Sequence, residues 1–279
     1  MGFIPPGTVD LLRRALAEDL AAAGDITTDA VVPAGVRMQA TLMTREQGTV
    51  AGLEASLRVF TLLDTDVTIT TRVDEGAAVQ AGTALASLEG PAAALLAGER
   101  TSLNLLCHLS GIATATTAAV AAVEGTGATV ADTRKTTPGL RALEKMAVRL
   151  GGGRNHRFGL YDAVLIKDNH LALVGTVGAA VRRARDRVGH MVKIEVEVET
   201  LDALQEALDA GVDAVLLDNM SPPLLREAVR LVDGRCVTES SGSITLDTIR
   251  AVARTGVDVV SLGWITHSAP ALDIALDAG

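Results

Sequence analysis

One rhythm governs the chain from about residue 126 onward: a short run of Val, Ala, Ile or Leu, then a polar cluster, then an amphipathic stretch of helical period. The apolar runs fall at 128–131, 163–166, 192–198, 214–217, 235–238 and 257–262. TLDALQEALDAG shows the helical part, with Thr200 as N-cap, Leu201, Leu204 and Leu208 on one face, and Gly211 as the stop. The unit even repeats its wording, since AGVDAVLLDN and TGVDVVSLGW share Gly-Val-Asp-x-Val-x-Leu at the same point. Serial strand–helix units lay their strands parallel and cover them with helices, closed into a barrel or left open.

Residues 1–110 follow a different pattern. MQATLMTREQGTVAG and DVTITTRVDEGAAVQAG alternate as antiparallel strands with Gly turns, between helical segments at 8–22 and 52–63. This is a separate domain of mixed α and β character. EGAAVQAGTALASLEG has the spacing of a lipoyl or biotinyl carrier hairpin, yet the first 134 residues contain no lysine to modify.

Composition narrows the function. A 279-residue chain with 48% hydrophobic residues can bury a real core. A net charge of -9 and 2% aromatics leave neither a basic stripe for phosphate backbones nor rings for stacking bases, so nucleic acid is not an expected partner. No apolar run is read as approaching the roughly 18 residues of a membrane helix. MGFIPPGTVD has neither a signal h-region nor a myristoylation hydroxyl, so the expectation is a cytoplasmic protein without a membrane partner. Cys107 and Cys236 sit in no metal or disulfide spacing and read as small buried hydrophobes.

The polar clusters carry the chemistry. The expected strands end on Asp132, Arg134 and Lys135; on Lys167, Asp168 and Asn169; on Glu195 and Glu197; on Asp218 and Asn219; on Glu239, Ser240 and Ser241; and on Gly263. The amino ends show no such concentration. In a parallel barrel the carboxyl ends converge on one face, which holds the active site. Strand alternation places Lys193, Glu195 and Glu197 on one face.

In DTRKTTPG, Arg134 and Lys135 precede Thr137-Pro138, read as N-cap and first residue of a helix, which together make an anion site. Glu197 and Asp218 suit a hydroxylated ligand, or Mg2+ shared with substrate phosphate oxygens. In GGGRNHRFGL, Arg154, His156 and Arg157 form a second cationic set suited to carboxylates. Plainer readings stay open beside these: a charged edge strand, a solvated Gly-rich loop, a core histidine at His156, a helix-surface charge at Arg100 and a structural role for His108.

Taken together, ERTSLNLLCHLSGIAT, DTRKTTPGLRALEK, GGGRNHRFGL, LIKDNH, IEVEVE, LLDN, ESSGSI and THSAPALDI resemble the quinolinate phosphoribosyltransferase family, in order and over nearly the whole chain. The resemblance implies an α/β fold: an N-terminal α/β sandwich over 1–110 and an incomplete, six- or seven-stranded parallel α/β barrel over 111–267. A C-terminal helix over 268–279 is expected to pack on the first domain. It also implies a homodimer or higher even oligomer, in which one subunit's N-terminal domain closes the other's barrel.

Carried over by motif, Arg100, Arg134, His156, Arg157 and Lys167 surround the pyridine dicarboxylate, with Arg100 reaching in from the partner subunit. Lys135, Glu197, Asp218, Ser241, Gly242, Gly263 and His267 surround phosphoribosyl diphosphate and its Mg2+, which Glu197 and Asp218 hold directly or through water. Lys135, Lys167, Glu197 and Asp218 are then the catalytic set. The implied reaction joins the quinolinate nitrogen to the ribose anomeric carbon, releases diphosphate and loses CO2.

Trp264, Met146, Tyr161 and Ser243 depart from the family's usual residues without removing a charge. Three rivals share some of these features. A molybdenum-transport-associated paralogue has a DTRKT-like segment, but the intact GRNHR favours a dicarboxylate. An aldolase-like barrel would need Lys167 or Lys135 as a Schiff-base amine, and beside Asp168 or Arg134 these lysines lack the apolar pocket that would activate one. A dimeric scaffold has no use for ionic groups gathered at one end of a sheet.

Overall fold

The computed structural model describes residues 4–278. The chain forms two compact units, one of Met1–Thr117, Thr137–Gly152 and Thr266–Gly279, the other of Ala118–Thr136 and Gly153–Ile265.

The first unit is built on a four-stranded antiparallel sheet. Its strands are β1 (Arg37–Thr44), β3 (Thr68–Thr71), β5 (Ala84–Pro91) and β12 (Ile274–Ala278), in the order β12-β1-β5-β3. A two-residue ladder joins β2 (Gly48–Thr49) to β4 (Ala78–Val79). Leu42, Leu85 and Leu88 of the sheet pack against Leu53, Leu57 and Phe60 of the helix Leu53–Leu63 and against Leu95, Leu103 and Leu106 of the helix Ala92–Val123.

Four expectations are corrected here. Residues 268–279 do not form a helix: after Pro270, Leu272 and Ile274 alternate into the core and the segment continues as β12, with Leu276 opposite Leu42. Its approach is fixed by Gly111, where a side chain would meet the Pro270 carbonyl at 2.1 Å. The carrier-like hairpin is not formed either, because β4 pairs with β2 while β5 pairs with β1 and β3.

Ala92–Val123 is long and apolar enough to cross a membrane by length and composition, contrary to the sequence reading; half of its most apolar stretch is buried inside the protein, as in a core helix. Lastly, the helix after DTRKTTPG begins at Arg141, not Pro138. Gly139 turns the chain at φ 85°, and the Thr137 N–H donates to Glu144 Oε2 at 3.1 Å. The expected helix-end anion site is therefore not built there.

The second unit holds six parallel strands: β6 (Thr129–Ala131), β7 (Val164–Ile166), β8 (Ile194–Val198), β9 (Ala214–Asp218), β10 (Val237–Ser241) and β11 (Val259–Ser261), ordered β6-β11-β10-β9-β8-β7. Every neighbouring pair is parallel. Arg154 adds a single parallel bridge beside Ala131, so the strand count ends at six with the start of a seventh. Ile194, Val196, Val198, Val215, Leu217 and Val260 are buried on one face of the sheet. Helices capped as the sequence implies follow the strands: the Thr200 side chain accepts from the Ala203 N–H, and Pro222 opens the helix Pro222–Val232.

The repeated Gly-Val-Asp has a structural meaning. Gly211 and Gly256 both turn the chain at positive φ. Asp213 Oδ2 then accepts the Ile194 N–H at the start of β8, and Asp258 Oδ2 accepts the Thr238 N–H near the start of β10. Arg185 and Lys193 also donate to Asp213, at 2.8 and 3.0 Å. The amino ends are thus polar as well, against the sequence reading, and Lys193 belongs to that end.

Candidate active site

Alternation along the parallel strands decides what meets inside. Leu165 and Lys167 from β7 and its end, Glu197 from β8, Leu216 and Asp218 from β9, Glu239 and Ser241 from β10 and Ser261 from β11 all line one cavity of about 580 Å³. Thr133, Arg134, Lys135, His156, Arg157, Asn219, Gly242 and Ser243 complete the lining. Of the residues expected at the site, Arg134, Lys135, His156, Arg157, Lys167, Glu197, Asp218, Ser241 and Gly242 share this space.

Three do not line it. Arg100 belongs to the first unit, where it lines a groove of about 550 Å³ with Glu18, Asp19, Asn104 and His108. Gly263 follows β11 and precedes the helix Trp264–His267, and His267 is exposed with its Nδ1 2.6 Å from Ser268 Oγ. His108 contacts the buried Glu144 at 2.8 Å, in line with its structural reading.

The side chains are held in distinct ways. Asp132, fully buried, accepts the His156 N–H at 2.8 Å and the Asn155 side-chain N–H at 2.6 Å, anchoring the GRNHR segment. His156 Nε2 lies 2.9 Å from Glu195 Oε2 and 3.5 Å from Glu239 Oε2. Lys167 pairs with Glu197, while the Lys167 backbone N–H donates to His170 Nδ1. Asp218 Oδ2 accepts from the Asn219 side chain at 2.7 Å. Gly242 is needed for space as well as for its φ of 126°, since a Cβ there would lie 2.3 Å from Asn219 Oδ1.

Like charges are crowded at this mouth. Burial and the neighbouring Arg134 guanidinium lower the Arg157 pKa, against Glu195 and Asp162. Burial and then the Glu195 charge push Glu239 up to about 7, opposed by His156 and the Ser261 hydroxyl. Two crowded guanidiniums favour an incoming anion, and planar forks suit carboxylates.

His156, Glu195 and Glu239 could hold a metal by proximity, but the two glutamates are buried and His156 already contacts both. Glu197 and Asp218 supply the hard oxygen donors that Mg2+ prefers, and both face the cavity. Sequence reading named Glu195 and Glu239 without seeing that they converge on His156, and it missed the cavity-lining Ser261, Leu165 and Leu216. The signal for the strand residues was present: period two counted from Lys167 and Asp218 returns Leu165 and Leu216.

A family model described as the quinolinate phosphoribosyl transferase C-terminal domain matches residues 112–277, and the corresponding N-terminal domain matches 25–110. Over 273 residues the chain is 47% identical to a nicotinate-nucleotide pyrophosphorylase [carboxylating] of Mycobacterium leprae, covering 96% of each chain. It is 45% identical over 267 residues to a probable enzyme of the same name from Bacillus subtilis, covering 96% of this chain and 92% of that one. The crystal structure of NadC from Streptococcus pyogenes superposes with a TM-score of 0.95 at 42% identity, covering 99% of this chain and 98% of that one. With two adjoining family models spanning most of its length, the chain belongs to the quinolinate phosphoribosyltransferase family.

Proposed function

We propose that the chain transfers phosphoribosyl from phosphoribosyl diphosphate to quinolinate with decarboxylation, giving nicotinate mononucleotide, CO2 and diphosphate, a step of NAD biosynthesis. The observation that carries this reading is the single cavity in which Arg134, His156, Arg157 and Lys167 face Lys135, Glu197 and Asp218. The first set suits two carboxylates on a ring; the second suits a phosphorylated, hydroxylated sugar.

In this reading Arg134 and Arg157 clamp the dicarboxylate and aim the ring nitrogen at the anomeric carbon, which supplies much of the acceleration through orientation. Departure of diphosphate leaves positive charge on the ribose. Glu197 and Asp218 stabilise that charge, and Lys135 stabilises the leaving group. Mg2+, held by Glu197 and Asp218, would neutralise diphosphate charge when bound. No protein nucleophile is needed. Lys167 is paired with the Glu197 carboxylate and not set in the apolar pocket that a Schiff-base amine would need. Arg100, absent from the cavity's lining, would complete the site of a partner copy in a dimer. A cytoplasmic location belongs to the same reading and suits two free thiols.

The test is direct: purified protein mixed with quinolinate, phosphoribosyl diphosphate and Mg2+ should release CO2 and diphosphate in equal amounts. A protein releasing neither would end the reading.

A further inference from the structure

The functional reading leaves one step without an agent. Loss of the 2-carboxylate breaks a carbon–carbon bond and leaves the electron pair on ring carbon C2, so C2 must gain a proton before the product can leave. Beneath the mouth lies a partition of His156, Glu195 and Glu239, whose side chains are 15, 10 and 7% exposed. Below it is a second cavity of about 440 Å³ at the amino ends of the strands, lined by Asp162, Val164, Lys193, Asp213 and Val237 among others. His156, Arg157 and Glu239 line both cavities. Of these, His156 and Glu239 can carry a proton and lie within reach of each other.

We infer that Glu239 is the proton reservoir of the decarboxylation step: it recharges His156, which delivers the proton to C2, and it is refilled from water in the second cavity. This rests on the functional reading above. The balance closes without a co-reactant. The C2–carboxylate bond breaks, CO2 departs without the electron pair, and neutral His156 gives its Nδ1–H proton to C2 while Nε2, the nitrogen that faces both glutamates, takes the Glu239 carboxyl proton. Water then restores the Glu239 acid, and proton exchange with water returns the ring to its Nδ1–H tautomer.

The surroundings of Glu239 suit the task. Glu195 on β8 and Asp132 after β6 oppose its ionisation, while His156 and the Ser261 hydroxyl on β11 favour it; its partner across β9, Leu216, is apolar. Burial and these charges together hold the proton up to about pH 7. Glu239 acts through His156 and is a positioning residue, not a catalytic one.

The experiment compares the wild type with Glu239→Gln in the full chain, with quinolinate, phosphoribosyl diphosphate and Mg2+. The wild type should lose kcat as pH rises through about 7. The Gln variant should lose roughly fivefold or more in kcat for CO2 release, keep the quinolinate KM within about threefold, and no longer show that pH limb. A smaller loss in kcat, or a change confined to KM, overturns the relay while leaving the functional reading intact. A wild type without activity ends both. If the Gln variant does not fold, Glu239→Asp decides: a displaced pH limb supports the relay, and an unmoved one overturns it.

Discussion

The two ends of the parallel sheet are both polar, but they use charge in opposite ways. At the amino ends, Asp213 faces Arg185, Lys193 and a backbone N–H, and Asp258 faces a backbone N–H and the Thr238 hydroxyl. At the carboxyl ends, Arg157 stands against Arg134 and Glu239 against Glu195. One end pairs unlike groups, which holds the fold. The other keeps unlike pairs too, Lys167 with Glu197 and His156 with Glu195, but adds crowded like groups, an arrangement that costs stability and becomes favourable when a ligand of opposite charge arrives.

The largest expected effect lies where that contrast is sharpest. Arg157→Ala should lower kcat/KM for quinolinate by about 2–4 kcal/mol, roughly 30- to 1,000-fold, because a carboxylate loses its fork. The fold should hardly notice, since relief of the crowding with Arg134 offsets the lost bond from Arg157 to the Ala163 carbonyl. Steady-state kinetics beside a thermal melt separate the two. A collapse in melting temperature with turnover per folded molecule preserved would make Arg157 a structural cation and erase the contrast.

The pH dependence of stability should split by end. Burial raises the Asp213 pKa, but the Ile194 N–H, Lys193 and Arg185 outweigh it and hold the carboxyl below 3.8. Its contribution is present above the unfolded value and lost as pH falls through the folded one. Glu239 runs the other way: its contribution is present below 4.5 and is lost as pH rises towards about 7. The rise from 4.5 to about 7 is worth on the order of 3 kcal/mol. Melts from pH 3 to 9 should therefore show Asp213→Asn flattening the acid limb and Glu239→Gln flattening the near-neutral one. Both variants flattening the same limb would break the comparison.

The same contrast explains what the sequence could tell. Strands buried on one face and lined with polar groups only near their ends leave unmistakable apolar runs, so five of the six expected strands fall within about two residues of those observed. The exception in placement is β10, expected at 235–238 and found at Val237–Ser241. Its Glu239 and Ser241 point into the cavity, where polarity disguises a strand as a loop. The convergence of Glu195 and Glu239 on His156 needs the lateral register of β8, β9 and β10, in which Glu197 lies beside Leu216 and Leu216 beside Glu239. Nothing in local spacing encodes that register. The C-terminal strand was hidden for a related reason: its partner, β1, lies more than two hundred residues earlier in the chain.

The smallest effect concerns how the mouth keeps its shape where no charges are paired. The loop after β10 is set by Gly242 against Asn219, by the Asn219 N–H donating to the Ser241 carbonyl, and by the Trp264 indole N–H donating to the Ile244 carbonyl at 3.0 Å. Trp264 thus props a cavity wall from outside the cavity. Trp264→Phe keeps an aromatic ring and removes one neutral hydrogen bond, a change of about 0.5–1.5 kcal/mol. Since Ser241 and Gly242 belong to the sugar-phosphate side of the cavity, the loosened wall should raise KM for phosphoribosyl diphosphate by roughly two- to fivefold and leave kcat and the quinolinate KM in place. Were the quinolinate KM to change instead, the wall would serve the dicarboxylate side, and the division of the mouth into two halves would have to be redrawn.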